Sequence, residues 1–262
     1  MAQIHPSAII DPKAQLGANV KVGPYCIIGP KVTLGDDCEL MSHVVIDGNT
    51  TIGPRAKIFP FACLGQQPQD LKYHGEDSRL EVGADAMIRE YVTMNTGTEG
   101  GGGLTKVGDK FVGLSSVHIG HDCILGDGII ISSATLLAGH CRIADHVIFG
   151  GGSSIHQFAR VGRNAFIGGA TAVEGDVIPF GLVIGNRASL VGLNLVGLKR
   201  HGFERERIFA LRDAYGKIFG PDGALRDRVA AVGTEFAGQA DVMEIVNFIQ
   251  SASERPLCLP TR

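Results

Sequence analysis

The sequence predicts a mainly β fold: a parallel β-helix of hexapeptide repeats, followed by a small C-terminal α-helical domain. Three observations carry this expectation. From Ile4 to Leu64 an aliphatic residue returns at every sixth position without a slip. The period resumes at Val82 and again at Val107, and then runs to Val173. After about Asn186 it gives way to apolar residues at helical spacing. Each hexad reads as a short strand and a corner. Three hexads close a triangular coil, so residues eighteen apart lie above one another and the strands of successive coils pair in parallel. The repeat leaves the hand of the coil open, although parallel crossovers are generally right-handed.

Taken in order, residues 1–186 form the β-helix, with inserted loops at 66–79 and 96–106. Gln66 to Arg79 carries no hexad signal. Val82, Ile88 and Met94 restore it, Thr96 to Lys106 breaks it, and Val107 restarts it one residue out of phase. Both loops hold charged residues flanked by Gly, and loops inserted at solenoid corners are often functional. Residues 187–262 form the helical domain. One helix is expected within Glu204 to Phe219, from the spacing of Ile208, Leu211, Tyr215 and Ile218. A second contains Leu225, Val229 and Val232, with Asp222 as its cap. A third contains Val242, Ile245, Val246 and Ile249. Together they would cover the strand edges of the last coil.

Composition narrows the function classes. A formal charge of −3 over 262 residues argues against general nucleic-acid binding. The 37 glycines suit a chain that turns a corner every few residues. Of the six cysteines, Cys26, Cys38, Cys123 and Cys141 share the fifth hexad position, where Ala and Val stand elsewhere. That is a small apolar slot rather than a disulfide or metal pattern. There is no CxxC pair, and a reducing compartment is expected. Met1 to Pro6 carries no signal pattern and no apolar run reaches membrane-spanning length, so a cytoplasmic protein without membrane insertion is expected.

The chemistry concentrates in Ser116 to Gly126. Eighteen residues beyond His121 stands Gly139, and eighteen further stands Gln157; Asp122 leads in the same way to His140. His121-Asp122, Gly139-His140 and His156-Gln157 are therefore expected at one corner of three successive coils. A neutral imidazole is a suitable base for a hydroxyl. Adjacent strand residues point to opposite faces, so a corner is needed to bring His121 and Asp122 together. Gly151 and Gly169, also eighteen apart, lie on another line. His5 and His43 read as ordinary turn residues.

These features, taken together, resemble the bacterial acyl-carrier-protein-dependent UDP-N-acetylglucosamine O-acyltransferases. The resemblance spans essentially the whole chain. It is carried by Asp70 to Tyr73, Gly101 to Gly108, His118, His121 to Cys123, Ala138 to His140, Ile155 to Phe158, Gly185-Asn186 and Asn194 to Arg200. It implies a homotrimer of left-handed β-helices with active sites between subunits. The implied reaction moves a 3-hydroxyacyl chain from the 4'-phosphopantetheine thioester of acyl carrier protein, a co-substrate, to the sugar 3-hydroxyl in the first step of lipid A synthesis. No further cofactor and no metal are implied.

By the resemblance, His121 is the general base, Asp122 orients it, and the Gly139 N–H receives the oxyanion. Asp70, Lys72, His118, His140, His156 and Gln157 match substrate contacts, while Asn194 and Arg200 match groups near the uridine and phosphates. Gly169, with Gly151 beneath it, matches an acyl-length ruler and implies a longer chain. Basic residues from Lys199 to Arg212 could meet an acidic carrier. The sequence departs from the family at Asn95 and Thr96, which replace a frequent His-Arg pair, at Val196, which replaces a Glu, and at His201, which replaces an Arg. The sugar contacts are accordingly less secure, and a 3-amino acceptor giving an amide stays open.

Other readings are weaker. The sister N-acyltransferase carries an extra domain before the solenoid, whereas the hexads here begin at Ile4. A coenzyme A-dependent acetyltransferase lacks these loops and helices. A trimeric β-helix zinc enzyme of the carbonic anhydrase type would need converging ligands from His118, His121, His140 and His146, yet stacking places Gly139 above His121. A structural scaffold leaves the polar corner without a role.

Overall fold

The structure is a computed structural model and describes residues 2–261. Among the described residues, three sheets of 11, 9 and 8 strands form the faces of a triangular prism. Most strands are two residues long, one residue facing in and one out. In the ladder Ile131, Phe149 and Ile167 the inward residues are paired in parallel register and wholly buried. Ile4 departs from the expected inward pattern. It is 48% exposed because its strand belongs to the first coil and pairs on one side only.

The tight corners place residues at φ near +60°, a region that L-residues seldom adopt. One corner carries Asp122, His140 and Phe158 at φ of 59°, 63° and 68°. Another carries Tyr25, His43, Phe61 and Tyr91, whose rings stack about one coil apart. The fifth-position cysteines Cys26, Cys38, Cys123 and Cys141 are fully buried, and all six cysteines are free thiols. Burial pushes the Cys26 and Cys38 thiols above their ordinary value.

The two interruptions sit between coils without breaking the sheets. Uninterrupted coils keep a spacing of 18, as between Asp109 and Asp127. Arg55 meets Asp85 across 30 residues, and Ala84 meets Asp109 across 25. Pairing resumes inside the second expected loop: Leu104–Val107 runs in parallel with Arg79–Val82. What remains of that loop contains a 3-10 turn, Glu99–Gly101.

Past residue 186 the sheet continues. Ser189–Leu193 pairs antiparallel with Gly181–Ile184, a return strand without a hexad signal. Four helices follow: α1 (Leu195–Arg200), α2 (Arg205–Ile218), α3 (Leu225–Glu235) and α4 (Ala240–Gln250). The spacing of apolar residues located α2 to α4, whereas α1 is too short to show a period. Asp222 is not the cap of α3. The helix begins after Ala224 with no side-chain cap, because Gly223 at φ +74° turns the chain between Asp222 and the helix. The Asp222 carbonyl instead accepts from Arg228 Nη1 at 2.9 Å. The end of the prism is tied down by Arg163, which pairs with Asp241 and Glu244 of α4. The tail also bridges to the last coil, Asp176 donating to the Pro256 carbonyl and accepting from Cys258.

The core ladders make a direct stability prediction. Phe149 is wholly buried between Ile131 and Ile167, and rigid coils above and below restrict collapse of a cavity. Phe149→Ala is expected to lower unfolding free energy by about 3–5 kcal/mol in chemical denaturation. A loss under about 1 kcal/mol would mean that the ladder relaxes into the space.

Candidate active site

The left-handed φ of Asp122 resolves the geometry that an extended strand would forbid. It turns the chain so that neighbouring side chains converge, and His121 Nδ1 lies 2.8 Å from Asp122 Oδ2. An ionised carboxylate only accepts, so Nδ1 is the nitrogen that carries the proton here, and in the neutral ring Nε2 is the one that can act as a base. Asp122 is wholly buried and His121 is partly exposed. The carboxylate also accepts from Thr98 N–H at 2.9 Å and from Thr98 Oγ1 at 2.7 Å, while the Asp122 N–H donates to Thr105 Oγ1 at 2.8 Å.

Gly139 lies one coil above His121. A Cβ there would stand 2.7 Å from the imidazole Cε1 and Nε2, so only a glycine leaves the ring its place. Its N–H meets no acceptor among the described residues. His140 stands beside it, with Nδ1 3.8 Å from Asp122 Oδ2. Its ring packs edge-on to His121 at 4.9 Å and stacks on Phe158 at 4.5 Å. Burial lowers the His140 pKa despite the neighbouring Asp122. His118 Nδ1 bonds Thr93 Oγ1 at 2.8 Å, and burial, then the nearby His121, lowers its pKa. Both rings are therefore mostly neutral at pH 7.

A cleft of about 1120 Å³ adjoins this corner. Its walls bring together Asp70 and Lys72 of the first loop, Thr98 and Gly101 of the second, His140, Phe158 and Glu254. The Asp70 carboxylate caps the Lys72 N–H at 3.0 Å, which shapes the loop. His156 and Gln157 are exposed on the next coil up. Arg255 lies over them, its guanidinium against the His156 ring and its Nε 2.9 Å from the Gln157 carbonyl.

Other expected site residues do not gather at the dyad within one protomer. Asn194 caps α1: its Oδ1 accepts from Gly197 N–H at 3.0 Å and its Nδ2 donates to the Asn164 carbonyl at 2.9 Å. Arg200 is exposed at the end of α1. Gly151 and Gly169 are exposed near a different corner, where a Cβ on Gly169 would meet nothing closer than the Gly151 carbonyl at 3.4 Å. The four histidines considered as zinc ligands do not assemble. His121, Asp122 and His140 form a close group, while His146 faces His201 at 4.9 Å. Of the departures, Asn95 and Thr96 are buried and hold the first loop, through Gln67 and Ser78 respectively, while Val196 is exposed.

Thr98 and Arg255 escaped sequence reasoning, which also gave no site role to Phe158 and Thr105, although both lie in stretches that carry the resemblance. Phe158 was within reach, since it stands eighteen residues beyond His140. The threonines lie in and beside a loop that breaks the period, and Arg255 comes from the chain end, so no spacing points to them.

The comparisons agree with this architecture. A family model described as UDP-N-acetylglucosamine O-acyltransferase, domain 2, matches residues 176–258, and one for bacterial transferase hexapeptide repeats matches residues 1–36. An acyl-[acyl-carrier-protein]–UDP-N-acetylglucosamine O-acyltransferase of Methylobacterium radiotolerans is 57% identical over 78% of this chain and 75% of its own. The like-named protein of Caulobacter vibrioides is 50% identical over 99% of this chain and 98% of its own. The solved UDP-N-acetylglucosamine acyltransferase from Campylobacter jejuni superposes with a TM-score of 0.94 at 36% identity, covering 99% of this chain and 100% of that one. With the hexad prism, the helical end and the His121–Asp122 corner all in place, similarity of this extent shows that the chain belongs to the UDP-N-acetylglucosamine O-acyltransferase family.

Proposed function

We propose that this chain transfers a 3-hydroxyacyl group from acyl carrier protein to the 3-hydroxyl of UDP-N-acetylglucosamine, the opening step of lipid A synthesis. The observation that carries this reading is the 2.8 Å His121–Asp122 pair beneath the Gly139 N–H, which meets no acceptor among the described residues, in a chain 50% identical along its length to an enzyme named for this reaction. His121 Nε2 removes the proton from the sugar hydroxyl as its oxygen attacks the thioester carbonyl. Asp122 stabilises the imidazolium that forms. The Gly139 N–H donates to the oxyanion. Collapse forms the ester and expels the phosphopantetheine thiolate, which takes the proton back from His121. No cofactor beyond the carrier's own thioester enters this scheme, and no metal.

Asp70, Lys72, His118, His140, His156 and Gln157 bind the acceptor and the acyl head, and Asn194 and Arg200 the nucleotide end. Gly169 and the dyad lie near different corners of one prism, and Arg200 lies on the helical end. That separation supports an assembly in which a neighbouring subunit completes each site, and a homotrimer of left-handed coils belongs to the same reading. The division into a β-helix of residues 1–186 and a helical domain of 187–262 belongs to the same reading, as does a cytoplasmic location with no nucleic-acid partner. Among the described residues, no helix is long and apolar enough to cross a membrane.

The test is transfer from 3-hydroxyacyl carrier proteins of graded length to UDP-N-acetylglucosamine and, in parallel, its 3-amino analogue. Transfer to the normal sugar is expected. Transfer only to the amino sugar would replace the ester product by an amide and turn attention to Asn95 and its neighbours. No transfer to either would sink the reading. In the same assay Gly169→Met is expected to shift the preferred donor to shorter chains, since open space beside the Gly169 Cα would be filled. An unchanged length profile would remove Gly169 from the acyl groove.

A further inference from the structure

We propose that Thr98 is a positioning residue: its hydroxyl reserves the Asp122 carboxylate for His121 and withholds it from His140. This rests on the acyl-transfer reading above. Two histidines stand within reach of one buried carboxylate, His121 Nδ1 at 2.8 Å and His140 Nδ1 at 3.8 Å from the same Oδ2. A carboxylate oxygen offers about two acceptor directions. On Oδ2 both are taken, by Thr98 Oγ1 at 2.7 Å and by His121 Nδ1. On Oδ1 the Thr98 N–H occupies another at 2.9 Å. Rotation of the carboxylate toward His140 would break both threonine bonds at once.

The loop is built around this contact. The Thr98 hydroxyl accepts from Gly101 N–H at 3.2 Å, which aims its proton at Asp122. A Cβ on Gly101 would fall 2.0 Å from the carboxylate carbon, so the turn closes on Asp122 only with glycine there. His140 meanwhile is held by its stack on Phe158, ready to compete once an acceptor direction opens. Without the hydroxyl, Asp122 divides between two imidazoles, and the base loses its alignment in part of the population.

The experiment uses the full-length enzyme with Thr98→Val, which keeps the N–H and the shape, and Thr98→Ser, which keeps both donors. Thr98→Val is expected to lower kcat by about 10–100-fold, the range for a hydrogen bond to a charged group, with KM for both substrates nearly unchanged. Thr98→Ser should restore kcat to within about 3-fold of wild type, and Thr98→Ala, a second hydroxyl deletion, should behave as Val does. In an Asp122→Ala background the Val substitution should change kcat by less than about 3-fold, because no carboxylate is left to hold. Melting curves identify any variant that fails to fold. Equal losses in both backgrounds, a loss confined to KM, or a Ser variant as poor as Val would overturn the proposal. A wild type without transfer counts against the acyl-transfer reading; an active wild type with an unimpaired Val variant counts against Thr98 alone.

Discussion

His121→Ala is expected to lower kcat for acyl transfer by about 10²–10⁴-fold, the range for a positioned general base. A sugar hydroxyl attacks a thioester slowly unless its proton is removed, and the dyad presents His121 as the base aligned to do so. His140 and His118 are the nearby alternatives. His140 stands outside hydrogen-bond distance of Asp122, and His118 is turned to Thr93. Removing His121 frees an acceptor direction on Asp122 that His140 can take, but that ring stands one coil above the place of His121, so neither ring replaces the missing base. Because His121 does not lie in the core ladders, melting of the variant should match wild type. The readout is single-turnover transfer at saturating donor and acceptor. Retention of more than about one tenth of the rate would reassign the base.

Gly139→Ala is expected to lower kcat by about 10²-fold with the fold intact. The φ of Gly139 lies outside the left-handed region, so the backbone accepts alanine. The added methyl has no such freedom. It would stand 2.7 Å from the His121 ring, which Asp122 holds at its other edge. The imidazole must therefore tilt away from the position that serves the hydroxyl, and the methyl enters the space that the oxyanion needs. Sub-ångström displacement of this kind is costly for proton transfer. Wild-type kcat in Gly139→Ala would show that the ring has room to yield and that the N–H works unhindered. A loss in thermal stability matching the loss in rate would make the glycine a packing requirement.

Read alone, the sequence determined the prism. A period of six leaves one physical solution, short strands with inward aliphatics, because each hexad can bury its apolar residue only against the coils above and below. The same arithmetic placed Gly139 over His121 and His140 over Asp122, since stacking depends on count alone. It would have placed Phe158 too. The helices after Arg205 were legible because their apolar residues keep a period, whereas Leu195–Arg200 and the return strand Ser189–Leu193 are too short or too irregular to show one.

Tertiary structure alone decided how the corner works. Whether His121 and Asp122 face each other depends on the left-handed φ at Asp122, which residue types do not announce. Which of two histidines owns the carboxylate depends on Thr98, delivered by a loop that breaks the repeat. Asn194, expected as a nucleotide contact, also caps α1 and is held to Asn164, a bond across 30 residues that no local pattern reveals. Contacts made by periodic residues can be counted along the chain, but those made by loops and chain ends exist only once the fold has closed around them.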